Sequence, residues 1–399
     1  MSETTPMDAL FTPLTLGDVT ITNRIGMSAM TRNRADQTRV PSSLMKKYYL
    51  QRALGGAGLI VTEATLICPQ GSQYNRSPGI WNMDQVAGWR KITNVVHLAR
   101  SRMYCQLWHM GRLGDPDSDE FVSCVRSNVL TRMIKRSTAQ PVYGPSAIPA
   151  KSRKACFHYL GGTRELGPVP TEIPDPSTIV AQFKNAAIHA KLAGFDGVEL
   201  LAGNGFLVDQ FLDSGSNIRT DQWGGSPENR ARFGLEILKA LGDVFGPNVS
   251  MKISPGGGLN DMGMPLEEAI ATFSYFVSEA DKLKLSYIVF SRFRPQLDVL
   301  PEGKPRGTPH DLLATYGKLV RNAKTFVVGA VTPAEAENLV TTGQVDGVFF
   351  GTLWITHPDL AKRIRHGKYI DNLFAVPHLY GDVDVDPKLG YTDYPTITY

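Results

Sequence analysis

Short apolar runs alternate along this chain with longer stretches whose apolar positions recur every three or four residues. The runs are rich in β-branched and aromatic residues and bounded by Gly, Pro or charge, which predicts buried strands, and the periodic stretches predict amphipathic helices. Strands are predicted at residues 24–29 (RIGMSA), 59–65 (LIVTEAT), 104–108, 197–201 (GVELL), 249–253, 286–290, 326–328 and 345–350. Helices are predicted at 43–54, where Gly55 and Gly56 stop the pattern, at 84–100, at 177–193, and near 265–284, 309–322, 333–341 and 358–366. A further helix starts at Ser226, which suits the N-cap, with Pro227 at the first helical position. About eight strand-then-helix repeats result, so the expected fold is α/β, a TIM (β/α)8 barrel. A doubly wound sheet is the other fold such alternation allows, and the lack of a G-x-G-x-x-G after the first strand disfavours it.

The periodicity stops between residues 111 and 176, a Pro-, Gly- and charge-rich stretch after the third strand. It is too long for an ordinary loop and reads as an excursion or lid. After Gly367 the chain again lacks helical periodicity, and this tail (367–399) is expected to pack across the barrel mouth. The whole, 1–399, reads as one domain. Its composition, 42% hydrophobic and 20% charged, is that of a globular protein. A net charge of +4, spread along the chain, argues against a nucleic-acid partner, and the densest basic run, 126–136, reads as a solvated loop. Cys68, Cys105, Cys124 and Cys156 have neither CxxC nor zinc spacing, so reduced thiols and no metal are expected. The start of the chain lacks a basic region followed by an apolar core, and no apolar run is long enough for a bilayer. A cytoplasmic enzyme, monomer or homodimer, with no membrane partner and a small-molecule substrate, is the expectation.

In a TIM barrel the chemistry sits at the C-terminal ends of the strands. The side chains there are Ala29, Met30 and Thr31 after the first strand, Ala64 after the second, Gln106 on the third, Asn204 and Phe206 in the AGNGF turn, and Lys252 on the fifth. Gly329 and Ala330 follow the seventh strand, and Gly351 and Thr352 the eighth. Taken singly, such residues have plain structural uses. A threonine satisfies its own loop, a buried glutamine bonds nearby backbone, and a rim lysine snorkels.

From LFTPLTLGDVTITNRIGMSAMTR to GYTDYP, and above all through GFDGVELLAGNGFLVDQFLDSGSNIRTDQWGGSPENRARF, the chain resembles the Old Yellow Enzyme family of FMN-dependent ene-reductases. The resemblance implies FMN as cofactor, NADPH or NADH as reductant, and hydride transfer to an activated alkene. It assigns Thr31 to the flavin C4 carbonyl and Gln106 to the pyrimidine edge, for which an amide supplies both donor and acceptor. Ala64 becomes the small residue that lets the ring approach, and Lys252, where relatives carry Arg, the cation facing N1. Gly329 and Gly351 match the phosphate-binding glycines, but Ala330 and Thr352 stand where relatives place Asn and Arg. A lost charge-assisted contact there weakens binding by about 1.5–3 kcal/mol.

The larger departure is at the substrate. Relatives carry His-x-x-Asn and then Tyr, where this chain has Leu201, Asn204 and Phe206. Asn204 retains one donor, Leu201 has none, and Phe206 has no proton to give. Losing an oxyanion donor costs about 10²–10³ in rate, and losing a general acid about 10²–10⁴. With Ala375 at the tail position of a second family Tyr, the pocket is expected to be large, apolar and suited to a bulky substrate. Arg292, Arg294, His158 and Tyr159 are candidate substitutes, while His109 reads as structural. Three functions stay open: a flavin oxidoreductase, a redox-neutral isomerase or cyclase of the kind that ergot-alkaloid relatives with Phe at this position exemplify, and a ligand-binding barrel without turnover.

Overall fold

The computed structural model describes residues 7–69, 74, 76–114, 141–151, 167–298, 304–381 and 385–399. Eight parallel strands close into a barrel: β1 (Ile25–Met27), β2 (Leu59–Val61), β3 (Arg102–Trp108), β4 (Gly197–Ala202), β5 (Val249–Ile253), β6 (Tyr287–Ser291), β7 (Lys324–Val328) and β8 (Gly347–Phe350). Each pairs with its sequence neighbours, and β8 pairs with β1. Around them run α1 (Ser43–Leu54), α2 (Met83–Leu98), α3 (Pro176–Leu192), α4 (Pro227–Phe245), α5 (Leu266–Lys282), α6 (Leu312–Tyr316), α7 (Pro333–Thr341) and α8 (Leu360–Arg365). This is the expected TIM barrel, with the excursion after β3. At α4, Ser226 Oγ accepts from Asn229 N at 3.4 Å, the cap expected from the sequence.

The barrel interior is packed side chain, not a pore. Leu59, Val61, Tyr104, Tyr287, Val289, Phe326 and Phe349 fill it from the strands. A hairpin, Leu14–Leu16 with Val19–Ile21, plugs the lower end with Leu14, Leu16 and Ile21. Gly347 makes room for the rings, since a Cβ there would lie 2.3 Å from the Phe326 ring. The register sets Gln106 beside Glu199 and Leu201 beside Lys252, so these four share the inner surface of β3, β4 and β5.

Two expectations are corrected. The strand expected at 59–65 breaks, and Thr65–Leu66 pairs separately with Leu107 and Trp108. Thr65 Oγ1 bonds back to Glu63 O at 2.9 Å, a local bond that competes with the ladder. The helix expected at 309–322 is only Leu312–Tyr316 and a 3₁₀ turn, Gly317–Leu319. Asp311 caps it late, and Asp281 takes the amides of Arg321, Asn322 and Ala323, pulling the chain out of helix. The hairpin and the short helices Leu207–Leu212 and Thr352–Thr356 were not foreseen.

Most of the excursion, with His158, Tyr159, Cys124, Cys156 and the basic run, lies outside the described residues. Its described flanks pair Tyr143–Gly144 with Thr171–Glu172. The tail reaches β1 as expected: Gly381 N donates to Arg32 O at 3.0 Å, and Arg32 donates to Leu379 O at 2.9 Å and to Gly390 O at 2.6 Å. No helix among the described residues is long and apolar enough to cross a membrane.

Candidate active site

Three groups of side chains meet at the C-terminal end of the barrel. The first is a polar floor. Gln106 Nε2 donates to Glu199 Oε1 at 2.7 Å, and Tyr287 Oη donates to Glu199 Oε2 at 3.0 Å. Lys252 Nζ bonds to Ser28 Oγ at 3.2 Å, just below Ala29, Met30 and Thr31. All are buried: Gln106 and Glu199 are 2% exposed and Lys252 7%. Burial pushes the Glu199 carboxyl up and the Lys252 ammonium down from their usual ranges, and the opposite charge of each works against that shift.

The second group is an apolar wall of Ala64, Leu66, Tyr74, Trp108, Met110 and Leu201, with Trp81, Phe206 and Tyr380 packed against it. The Phe206 ring meets Trp108 edge-on at 4.9 Å, and Tyr74 lies 5.9 Å from Trp108 and 5.3 Å from Tyr380. Ala375 is not part of this wall; it precedes the turn Val376–His378. The expected gap is therefore filled by Tyr380, fixed between Leu379 and Gly381, whose backbones bond to Arg32. The wall that these residues form is apolar. The wall contributes one unexpected donor: Trp108 Nε1 is buried with no partner among the described residues. Asn204 holds a left-handed φ of 61°, unusual for a residue other than Gly. Ser254 Oγ accepts from its amide at 2.6 Å and Asn260 Nδ2 donates to its carbonyl at 2.7 Å. Its side-chain amide bonds to no described residue. His109 Nδ1 accepts from Gly111 N at 3.0 Å, its Nε2 is buried with no partner among the described residues, and burial lowers its pKa to about 4.

The third group is a cradle of backbone. Gly329 (φ 115°) and Ala330 (φ 52°) follow β7 in left-handed conformations, which for Ala330 is strained. Gly351 follows β8, and a Cβ on it would lie 3.0 Å from Met30 Sδ. The amides of Gly329, Ala330 and Gly351 donate to no backbone carbonyl of the described residues. Unspent, partly exposed amides of this kind suit a phosphate, and the floor beside them offers the donors, acceptor and cation that an isoalloxazine edge requires. Arg292 flanks Gly329 but is drawn off to Glu335 at 2.6 Å. Arg294 is exposed, and its charge is among those acting on Lys252. Glu199, Trp108 and Tyr380 escaped the sequence reading. Only Glu199 left a signal, a lone carboxylate within an apolar strand run.

Comparison with known proteins agrees with this geometry. Residues 9–371 match the NADH:flavin oxidoreductase / NADH oxidase family. The NADP-dependent oxidoreductase lnbE of Aspergillus flavus is 34% identical, over 98% of this chain and 96% of its own length. A probable inactive dehydrogenase, easA of Claviceps fusiformis, is 34% identical over 97% and 94%. The old yellow enzyme of Trypanosoma cruzi superposes with a TM-score of 0.83 at 29% identity, covering 98% of this chain and 100% of that one. The chain belongs to the NADH:flavin oxidoreductase family, as a divergent member of the Old Yellow Enzyme type. It is a flavin-dependent oxidoreductase, with FMN as cofactor and a nicotinamide nucleotide as reductant.

Proposed function

We propose that the protein uses NADPH or NADH, through FMN, to reduce an activated, α,β-unsaturated small molecule with a bulky apolar body, as in fungal secondary metabolism. FMN, when bound, takes hydride from the nicotinamide and delivers it to the acceptor. Thr31, Gln106 and Lys252 hold its ring, Ala29, Met30 and Ala64 leave room for it, and the amides of Gly329, Ala330, Gly351 and Thr352 take the phosphate. Asn204 and the unpartnered Trp108 N–H polarise the acceptor oxygen in place of the donor that Leu201 lacks. The proton comes from water, or from Tyr74 or Tyr380 on the same wall, because Phe206 carries none.

The observation that supports this most is the polar floor. Burying Lys252, Glu199 and Gln106 together costs several kcal/mol relative to apolar packing, which a barrel without flavin would have no reason to keep. The visible spectrum of the purified protein, before and after anaerobic NADPH, tests the proposal. A flavin band that bleaches is the expected result, and no flavin band even with excess FMN would overturn it. A band that persists would favour the second reading, a redox-neutral isomerase. Phe206 favours that reading, because with no proton delivered the acceptor can return its hydride.

A further inference from the structure

Glu199 has no part in the reaction as described, yet it is a buried carboxylate tethered within the floor. It projects inward from β4 one pleat below Leu201, in register with Gln106 across the β3–β4 pair. Both its oxygens accept, one from the Gln106 amide at 2.7 Å and one from the Tyr287 phenol at 3.0 Å. Lys252, in register with Leu201 on β5, lies one pleat above it, and its cation is the main opposing influence on the Glu199 carboxyl after burial itself. Two consequences follow from the chemistry. First, a primary amide turns freely about its last bond, and its nitrogen and oxygen exchange roles when it does. A carboxylate can only accept, so it fixes Gln106 with nitrogen toward Glu199 and fixes which atoms remain for a ligand above. Second, the Glu199 carboxylate and the Lys252 ammonium, one pleat apart on neighbouring strands, offset each other in surroundings where charges act strongly over several ångströms.

We propose that Glu199 is a positioning residue of the FMN site: its carboxylate orients the Gln106 amide and offsets the Lys252 cation, and so sets the reduction potential of the bound cofactor. The proposal rests on the reading above that Gln106 and Lys252 face the flavin. Reduction adds negative charge to the cofactor, so a fixed carboxylate beneath it opposes reduction and its removal favours it.

The test is the midpoint potential of bound FMN, by spectroelectrochemistry at fixed pH, in the wild type, Glu199→Gln and Glu199→Asp. Glu199→Gln should favour the reduced form at least tenfold, about 30 mV upward for a two-electron couple. Glu199→Asp keeps the charge but is too short to hold both tethers. Its potential should stay near that of the wild type while FMN binds more weakly. A purely structural role predicts loss of affinity in both variants with no difference in potential, and that result overturns the proposal. Should Glu199→Gln hold no FMN, Lys252→Met carries the test: removing the cation that Glu199 offsets should lower the potential, and no shift overturns the charge argument. Wild-type protein that takes up no FMN overturns instead the site reading beneath the proposal.

Discussion

Leu201 and Phe206 stand, without a donor or a proton, where the family resemblance places a His and a Tyr. Leu201 is 4% exposed and packed in the wall. Phe206 sits at the N-cap of the short helix Leu207–Leu212 with its ring against Trp108. Phe206→Tyr therefore adds a hydroxyl to a ring already in place. With 2-cyclohexenone and NADPH, initial reduction should rise about 10²-fold or more with an unchanged melting temperature. A rate that does not move would mean that protonation is not what limits this site. Leu201, Asn204 and Phe206 were legible in the sequence because their order along one strand end and turn is local. Glu199 was not, because its meaning lies in β3 and β6, which supply Gln106 and Tyr287.

Among elements, the turn between β4 and the helix Leu207–Leu212 carries two successive left-handed residues, Asn204 at φ 61° and Gly205 at φ 78°. The buried Asp209 side chain holds it, accepting from Gly205 N at 2.8 Å. Burial, with Asp213 nearby, raises the Asp209 pKa from 3.8 to about 8. A raised acid binds its proton more tightly in the folded chain. Its contribution to stability is therefore full below about pH 4 and is lost as pH rises toward 8, at up to about 1.4 kcal/mol per pH unit. Asp209→Asn keeps an acceptor for Gly205 and cannot ionise. Denaturant midpoints between pH 5 and 9 should fall with pH in the wild type and fall less in the variant, and parallel curves would refute the buried-acid account. The strands and helices themselves were largely legible, since period and punctuation are local. They failed where side chains compete for backbone, as Thr65 and Asp281 do.

At the scale of the molecule, the barrel is closed chemically by its tail. Arg32, fully buried, lies beside the Tyr48 and Tyr391 rings, 5.3 and 5.0 Å from their centroids, and those rings stack on each other 4.1 Å apart. It bonds to tail carbonyls 347 and 358 residues away. Arg34 adds bonds to Leu379 and His378, and burial lowers its pKa only to about 10, so it remains charged at neutral pH. The tail lacks periodicity, so the sequence could place it at the mouth but not say which residue points in; the arginines decide that it is Tyr380. Arg32→Leu should thus do two things at once. Leaving the Gly390 carbonyl without its Arg32 donor, and the Leu379 carbonyl with Arg34 alone, should cost about 1–3 kcal/mol, visible as a lower melting temperature. Releasing Tyr380 should raise KM for the acceptor more than it lowers kcat if, as proposed, the wall it completes binds substrate. Tyr391→Phe is the matched control: its hydroxyl is buried without a partner among the described residues, so removing it keeps the stacking and should leave stability the same or slightly higher. If Arg32→Leu and Tyr391→Phe destabilised the protein alike, the Tyr391 hydroxyl would matter to the tail as much as the arginine's bonds. If Arg32→Leu lowered stability with KM unchanged, Tyr380 would be packing only and the substrate pocket would end at Phe206.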